Sequence, residues 1–346
     1  MKDVPLSRLP RTLREAYRDT NVRSQLERFQ HWQEQSERRI GSDGQYDHTE
    51  TVDNYYDLLS ELMQFGWNES LHFAPLSPSE TLDESIVRHQ RLLIEKLELQ
   101  KGMRVIDVGC GVGGPMRRVA QESGATVLCL NNNEQQLKKA KRLNVEHDVD
   151  HLAEYLKCNF MDMSALEPES FDAAYAIEST CYAPDKERAF AEIFRLLKPG
   201  GLFWGQEMCL TNTFSSDDDE HCAIAKEIQY TLALSQMFSF AEVNQALESV
   251  GFAVVESQDR EVQSGPSTPW YQPMLGKTAS LRALRSIPMG RSLMIAGTRL
   301  TEMIGIIPKG TSAVVKFADR IAYAYVSGGQ AGIFTPLYCF LARKPE

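Results

Sequence analysis

Met103-Arg-Val-Ile-Asp-Val108 runs without a break into Gly109-Cys-Gly-Val-Gly-Gly114-Pro115. A short apolar run passes into glycines and then into helical spacing, with Pro115 near the first helical position, so the reading is strand, tight turn, helix. Outward from that turn the period keeps switching. Residues 125–130, 171–177, 201–204, 253–257 and 337–341 are further short apolar strands, and another precedes Asn159. Helical patterns such as 134–145, 185–197 and 239–250 lie between them. Strand alternating with helix predicts an α/β fold, a doubly wound and mostly parallel seven-stranded sheet. Lys198-Pro-Gly-Gly201 is expected as the turn between a helix and its strand.

The flanks divide the chain. Residues 10–40 are polar, with Leu13, Val22, Leu26 and Phe29 at helical intervals, and read as an arm appended to the core. The organisation expected is a helical arm over 1–60, a nucleoside-binding core over 61–260 and a C-terminal region over 261–346 that returns one strand to the sheet. About 75 residues separate the last two strands, far longer than connections in such sheets, and an insertion of that length is expected to cover a substrate.

With 346 residues, 42% hydrophobic and 24% charged, the composition is that of a globular chain. The net charge of −10 disfavours nucleic acid as a partner, which needs clustered Lys and Arg. Residues 277–346 hold ten basic and three acidic side chains, whereas 51–276 hold 18 and 35. That basic segment is either a solvated surface or a face for an anionic membrane. No apolar run approaches the roughly 20 residues that span a bilayer, and the first 23 residues are charged throughout. The expected location is intracellular, cytoplasmic or peripheral on an endoplasmic-reticulum-type membrane. Seven cysteines without a C-x-x-C spacing read as reduced core residues, and no metal is expected. Self-association stays open.

The glycines let a ligand lie against backbone. Gly109, Gly111 and Gly114 satisfy G-x-G-x-x-G, so a nicotinamide dinucleotide is the rival occupant. Asp107 helps to decide between them, because a carboxylate at the mouth of the turn repels a diphosphate and suits an ammonium and a sulfonium, and the acid that a dinucleotide site would carry after the second strand is missing. That ligand is S-adenosylmethionine. The expected cofactor set is Asp107, Gly109, Cys110, Gly111 and Gly113 in the turn, and Asn131, Asn132 and Asn133 for the ribose hydroxyls, with a helix N-cap as the other role for these asparagines. Asn159 and Phe160 are expected on the adenine, and Ile177 and Glu178 at the end of the fourth strand.

Several longer blocks carry a resemblance. Phe65-Gly-Trp-Asn-Glu-Ser-Leu-His-Phe73, Ile106 to Pro115, Leu130-Asn-Asn-Asn133, Tyr175-Ala-Ile-Glu-Ser-Thr-Cys-Tyr-Ala-Pro184, Pro269-Trp-Tyr271 and Phe334-Thr-Pro336 together resemble the sterol C24-methyltransferase family, from about residue 60 to the C-terminus. The resemblance implies attack of a sterol or triterpenoid side-chain alkene on the sulfonium methyl, a carbocation, a hydride shift and loss of a proton. Such chemistry asks for an apolar pocket, aromatic faces and one base. It implies Phe65, Trp67, Phe73, Trp270 and Tyr271 as pocket residues and His72 and Tyr182 as catalytic candidates; Glu207 and Glu178 join them as candidate bases because they stand at the carboxyl ends of the fifth and fourth strands, where ligands bind in such sheets. Methylation of another sterol position or another isoprenoid, and a non-catalytic lipid binder, are the alternatives.

The sequence also departs from that family. Met63-Gln-Phe-Gly-Trp-Asn68 stands where the family usually has Tyr-Glu-Tyr-Gly-Trp-Gly, Tyr182 stands where His is common, and Gln229-Tyr-Thr-Leu-Ala233 replaces Glu-Leu-Gly-Asp-Gly. If those acids hold the polar end of the sterol, this chain holds its lipid differently.

Overall fold

Val105, Ile106 and Val108 of strand β1 (Arg104–Val108) are all buried, as a strand covered on both faces requires. The computed structural model describes residues 9–18, 21–39, 48–78, 80–261, 268–275 and 288–346. Around β1 lie β2 (Thr126–Asn131), β3 (Ala153–Lys157), β4 (Phe171–Ile177), β5 (Leu197–Leu210), β6 (Phe238–Ser239), β7 (Ala253–Asp259) and β8 (Phe334–Arg343). Their order is β3-β2-β1-β4-β5-β8-β7, with β6 added on β5. β8 runs antiparallel to β5 and β7, while the other pairs are parallel. The doubly wound sheet is therefore present, with the two-residue β6 beyond the seven strands expected.

The helices before the sheet are α1 (Leu9–Ala16), α2 (Val22–Arg39), α3 (Thr49–Trp67) and α4 (Leu82–Lys96). Those within it are α5 (Gly114–Ser123), α6 (Glu134–Glu146), α7 (Lys186–Leu196), α8 (Asp219–Thr231) and α9 (Phe240–Ser249). The long insertion holds α10 (Gln272–Leu275), α11 (Pro288–Met303) and α12 (Thr311–Gln330). Local chemistry fixes their starts. Thr81 with Glu84 and Ser239 with Glu242 form capping boxes ahead of α4 and α9.

Three expectations are corrected. The arm is not an appendage: Leu13, Tyr17, Val22 and Phe29 are buried in one core with α3 and α12, and Phe29 packs its ring 5.4 Å from Phe317 and 5.8 Å from Tyr55. Lys198-Pro-Gly-Gly201 lies inside β5, where the register to β4 jumps from Phe171↔Leu197 to Ala173↔Leu202. Cys222 is exposed and Cys158 half-buried, while the other five cysteines are buried and all seven are free.

Candidate functional site

β1 delivers Asp107 and the glycine turn to the carboxyl end of the sheet, beside β4, where the winding direction reverses. Ligands in such sheets bind at that crevice. A cavity of about 1390 Å³ opens there. Asp107, Gly109, Cys110, Gly111, Asn131, Asn132, Asn159, Phe160, Ile177 and Glu178 line it. Gly109 has φ +94°, and a Cβ there would run into Ser179, whose hydroxyl donates to the Val108 carbonyl. Only glycine lets the turn close so tightly.

Two expected members turn away. Gly113 holds a left-handed conformation at the start of α5 and does not line the cavity. Asn133 caps α6, accepting from the Gln136 amide at 2.9 Å and donating to Asp57 Oδ1 at 2.8 Å. Asn131 stays at the wall, where its Nδ2 donates to Gln136 Oε1 at 2.9 Å.

Asp107 is buried and accepts from the Tyr175 hydroxyl at 2.9 Å. Burial pushes its carboxyl up to about 7. A cation placed against it would restore the charged form.

A second, mostly apolar cavity of about 120 Å³ lies between α3, α12 and the sheet. Trp67, Phe73, Met208, Met274 and Tyr325 are among its walls. Phe73 is the hub, with ring centroids 5.4 Å from Trp67, 5.1 Å from Trp270 and 5.0 Å from Tyr325. Trp270 is therefore a second layer behind Phe73. The half-buried Tyr271 packs edge-on against Trp270 and lines neither cavity. The Phe65 side chain lies outside the described residues.

The two cavities share a wall. Tyr56, Leu71, His72, Glu178 and Tyr182 line both. Glu178 sits there with φ +50°, a left-handed conformation that a non-glycine residue holds only when its surroundings enforce it. Its Oε1 accepts from the Phe73 amide at 2.6 Å and from Gln206 Nε2 at 2.8 Å. Burial raises its carboxyl to about 8. The Tyr56 hydroxyl donates to that of Tyr182 at 3.1 Å.

His72 donates from Nδ1 to the Phe73 carbonyl at 2.8 Å and accepts at Nε2 from Gln90 at 3.0 Å. Burial lowers it to about 4, so it is neutral near pH 7 with both nitrogens engaged. The ring thus stands in the shared wall with both nitrogens bonded inside the protein.

Glu207 is not brought to either cavity. Its two oxygens are taken by the Thr180 hydroxyl and by Lys186 Nζ at 2.6 Å, and both ionic side chains are almost wholly buried. The expectation failed because β5 runs on to Leu210 against β8, carrying Glu207 into the sheet instead of to its edge. The Gln229–Ala233 departure likewise lies outside both linings, with Gln229 Nε2 on the Ser235 carbonyl at 2.8 Å.

Sequence reasoning missed Tyr55, Tyr56, Tyr325 and Gln206. The tandem Tyr55-Tyr56 fell inside the supposed arm, and Tyr325 lies in the long insertion, where its i, i+4 spacing from Ile321 went unread.

Residues 106–205 match the methyltransferase domain family model, and residues 281–346 match the sterol methyltransferase C-terminal model. The cycloartenol-C-24-methyltransferase of Arabidopsis thaliana is 41% identical over 299 residues, covering 86% of this chain and 88% of that protein. A sterol 24-C-methyltransferase of Candida albicans is 34% identical over 329 residues, 92% of this chain and 86% of its own. The cyclopropane synthase MmaA2 from Mycobacterium tuberculosis superimposes with a TM-score of 0.68 at 17% identity, over 87% of this chain and 100% of its own, and shares the fold. Identity of this depth covers 86 to 92% of the chain, the family models match both the core and the C-terminal segment that helps to line the apolar cavity, and the chain belongs to the sterol 24-C-methyltransferase family.

Proposed function

We propose that this chain is an S-adenosylmethionine-dependent methyltransferase acting at C24 of the side-chain alkene of a sterol or related triterpenoid. The observation that carries it is the wall shared by a polar cavity and an apolar one, at Glu178, Tyr56 and Tyr182. The family's named activities support the acceptor.

The residues fit the cofactor. The glycine turn accepts a ligand against backbone, and Asp107 is a buried acid whose environment favours a cationic neighbour. When bound, S-adenosylmethionine supplies an electrophilic methyl on a sulfonium. Asp107 would hold the ammonium end, Asn131 and Asn132 the ribose hydroxyls, and Asn159 and Phe160 the adenine.

On the other side of the wall, the 120 Å³ cavity takes the branched end of a lipid, with the rest extending past Met274 and Ala322. Trp67, Phe73, Tyr56, Tyr182 and Tyr325 line this cavity, and aromatic faces stabilise a positive charge developing on the acceptor carbon in a dry site. Glu178 Oε1 is fixed by two donors, and Glu178 takes the proton lost when the alkene re-forms. A positive charge held against Glu178 would lower its carboxyl from the raised value and favour the charged, proton-accepting form. The basic C-terminal segment supports peripheral contact with an endoplasmic-reticulum-type membrane, where such lipids reside.

The test is incubation with radiolabelled S-adenosylmethionine and a panel of Δ24 sterols, with mass spectrometry of the extracted lipids. Label in a C24-methylated or methylenated sterol is the expected result. Cofactor binding by calorimetry with no labelled sterol would move the acceptor to another isoprenoid.

A further inference from the structure

Helix α11 is apolar on its outer side as well as on the inner side, where Met294 packs against the core. Thr298 on its inner face is buried, while Leu293 and Leu300, seven residues apart and so on one stripe, are 66% and 59% exposed. The stripe reaches Met303 at the helix end and continues past it through Ile304 and Ile306, at 76%, 63% and 44%. These are five of the eight large apolar side chains that stand exposed among the described residues, gathered within fourteen positions. Contiguous apolar surface of this kind marks an interaction site.

Charge says which partner. On a chain of net −10, residues 288–319 carry Arg291, Arg299, Lys309 and Lys316 against Glu302 and Asp319, the latter paired with Arg291 at 2.7 Å. Glu302 is engaged with the amides of Gly310 and Ser312 at 2.8 Å each, and Arg299, Lys309 and Lys316 are exposed. Apolar side chains rimmed by cations suit an anionic lipid surface. Position agrees, because Arg291 Nη1 donates at 3.2 Å to the carbonyl of Met274, which lines the apolar cavity, and α12, packed on α11, lines it with Ala318 and Ala322.

We propose that the outer stripe of α11 and residues 303–306 dock on an anionic bilayer, setting the rim of the apolar cavity at the lipid surface. The purpose given to this docking, delivery of a sterol from the membrane, rests on the function proposed above; the surface does not.

The experiment is co-sedimentation of the full chain with phosphatidylcholine vesicles, with and without phosphatidylserine, at low and high salt. It is paired with methyl transfer to Δ24 sterol embedded in the vesicles or presented in cyclodextrin. Wild type should bind the phosphatidylserine vesicles and release with salt. The triple variant Leu293→Ser, Leu300→Ser, Ile304→Ser should bind about tenfold more weakly. Its transfer to embedded sterol should fall alike, with transfer from cyclodextrin unchanged. Equal binding by variant and wild type, or no binding by either, overturns the proposal, as does a wild-type dimer that the variant converts to monomer. Binding lost in the variant while neither form methylates any sterol upholds the docking surface and removes the proposed reaction.

Discussion

Gln206 Nε2 donates to Glu178 Oε1 at 2.8 Å, while Gln206 Oε1 accepts from His89 Nε2 at 2.8 Å. Burial lowers His89 to about 3, so this ring is a neutral donor and the amide orientation is fixed by it. Nε2 must then face Glu178 and also the Pro336 carbonyl at 2.9 Å. Gln206→Leu removes one donor to the carboxylate. The acid limb of the kcat/KM profile should move up by about one pH unit, since a hydrogen bond to a charged group is worth about that much. Glu178→Gln should cut kcat by about a hundredfold or more. An unmoved limb in Gln206→Leu would leave the glutamine as packing alone.

Stability without ligand should fall between about pH 6.5 and 8. Asp107 and Glu178 both have raised folded values, about 7 and 8, so their contribution is complete below the ordinary carboxylate range and is lost as pH rises through the raised ones. Each group adds a slope of up to about 1.4 kcal/mol per pH unit within its window. His72 and His89, with lowered values, act in the opposite direction and only below about pH 6.5. Thermal melts across this range should show the decline, and Glu178→Gln should flatten it. A melt that rises from pH 6.5 to 8 would contradict the assignment.

Asp107→Asn keeps an acceptor for the Tyr175 hydroxyl but removes the charge. Calorimetry should show S-adenosylmethionine affinity lower by about 10- to 100-fold, the worth of a charge-assisted contact. A change under twofold would place the ammonium elsewhere.

Glu207→Gln separates a buried ion pair from a base. Lys186 would be left as an uncompensated buried charge, and the chain should lose about 3–5 kcal/mol of stability in urea unfolding. Transfer per folded molecule should stay within about threefold, because a structural carboxylate lacks the roughly hundredfold effect of a general base.

Phe29→Ala tests the arm. Phe29 is fully buried against Tyr55, Tyr230 and Phe317, so its loss should cost about 3–5 kcal/mol, measured by denaturant titration. A cost under about 1 kcal/mol would return the arm to the status of an appendage.

What could be read in advance was what is written locally. Asp107 to Pro115 announces itself because strand, turn and helix start are consecutive and each residue type has a local reason. Glu178 was found for the same reason, at the end of a strand that stops where its apolar run stops. Glu207 was misplaced because Trp204 looked like the last apolar position, and only the pairing with β8, more than a hundred residues later, shows that β5 continues. Phe29 was seen at helical spacing, but its partner Phe317 lies nearly three hundred positions away. Gln206 carried no signal, since an amide in an apolar strand gains its meaning from His89 and Glu178, which arrive from α4 and β4.

β8 lies between β5 and β7, and β7 has no other neighbour in the sheet among the described residues. During synthesis β7 therefore emerges with both edges bare and waits while some seventy-five residues, α10 to α12 among them, are made before its partner exists. In that interval the growing chain offers an unpaired ribbon of the kind that invites association with other chains. The same detour that carries α12 to the apolar cavity thus makes this protein dependent, at birth, on whatever shelters a half-made sheet.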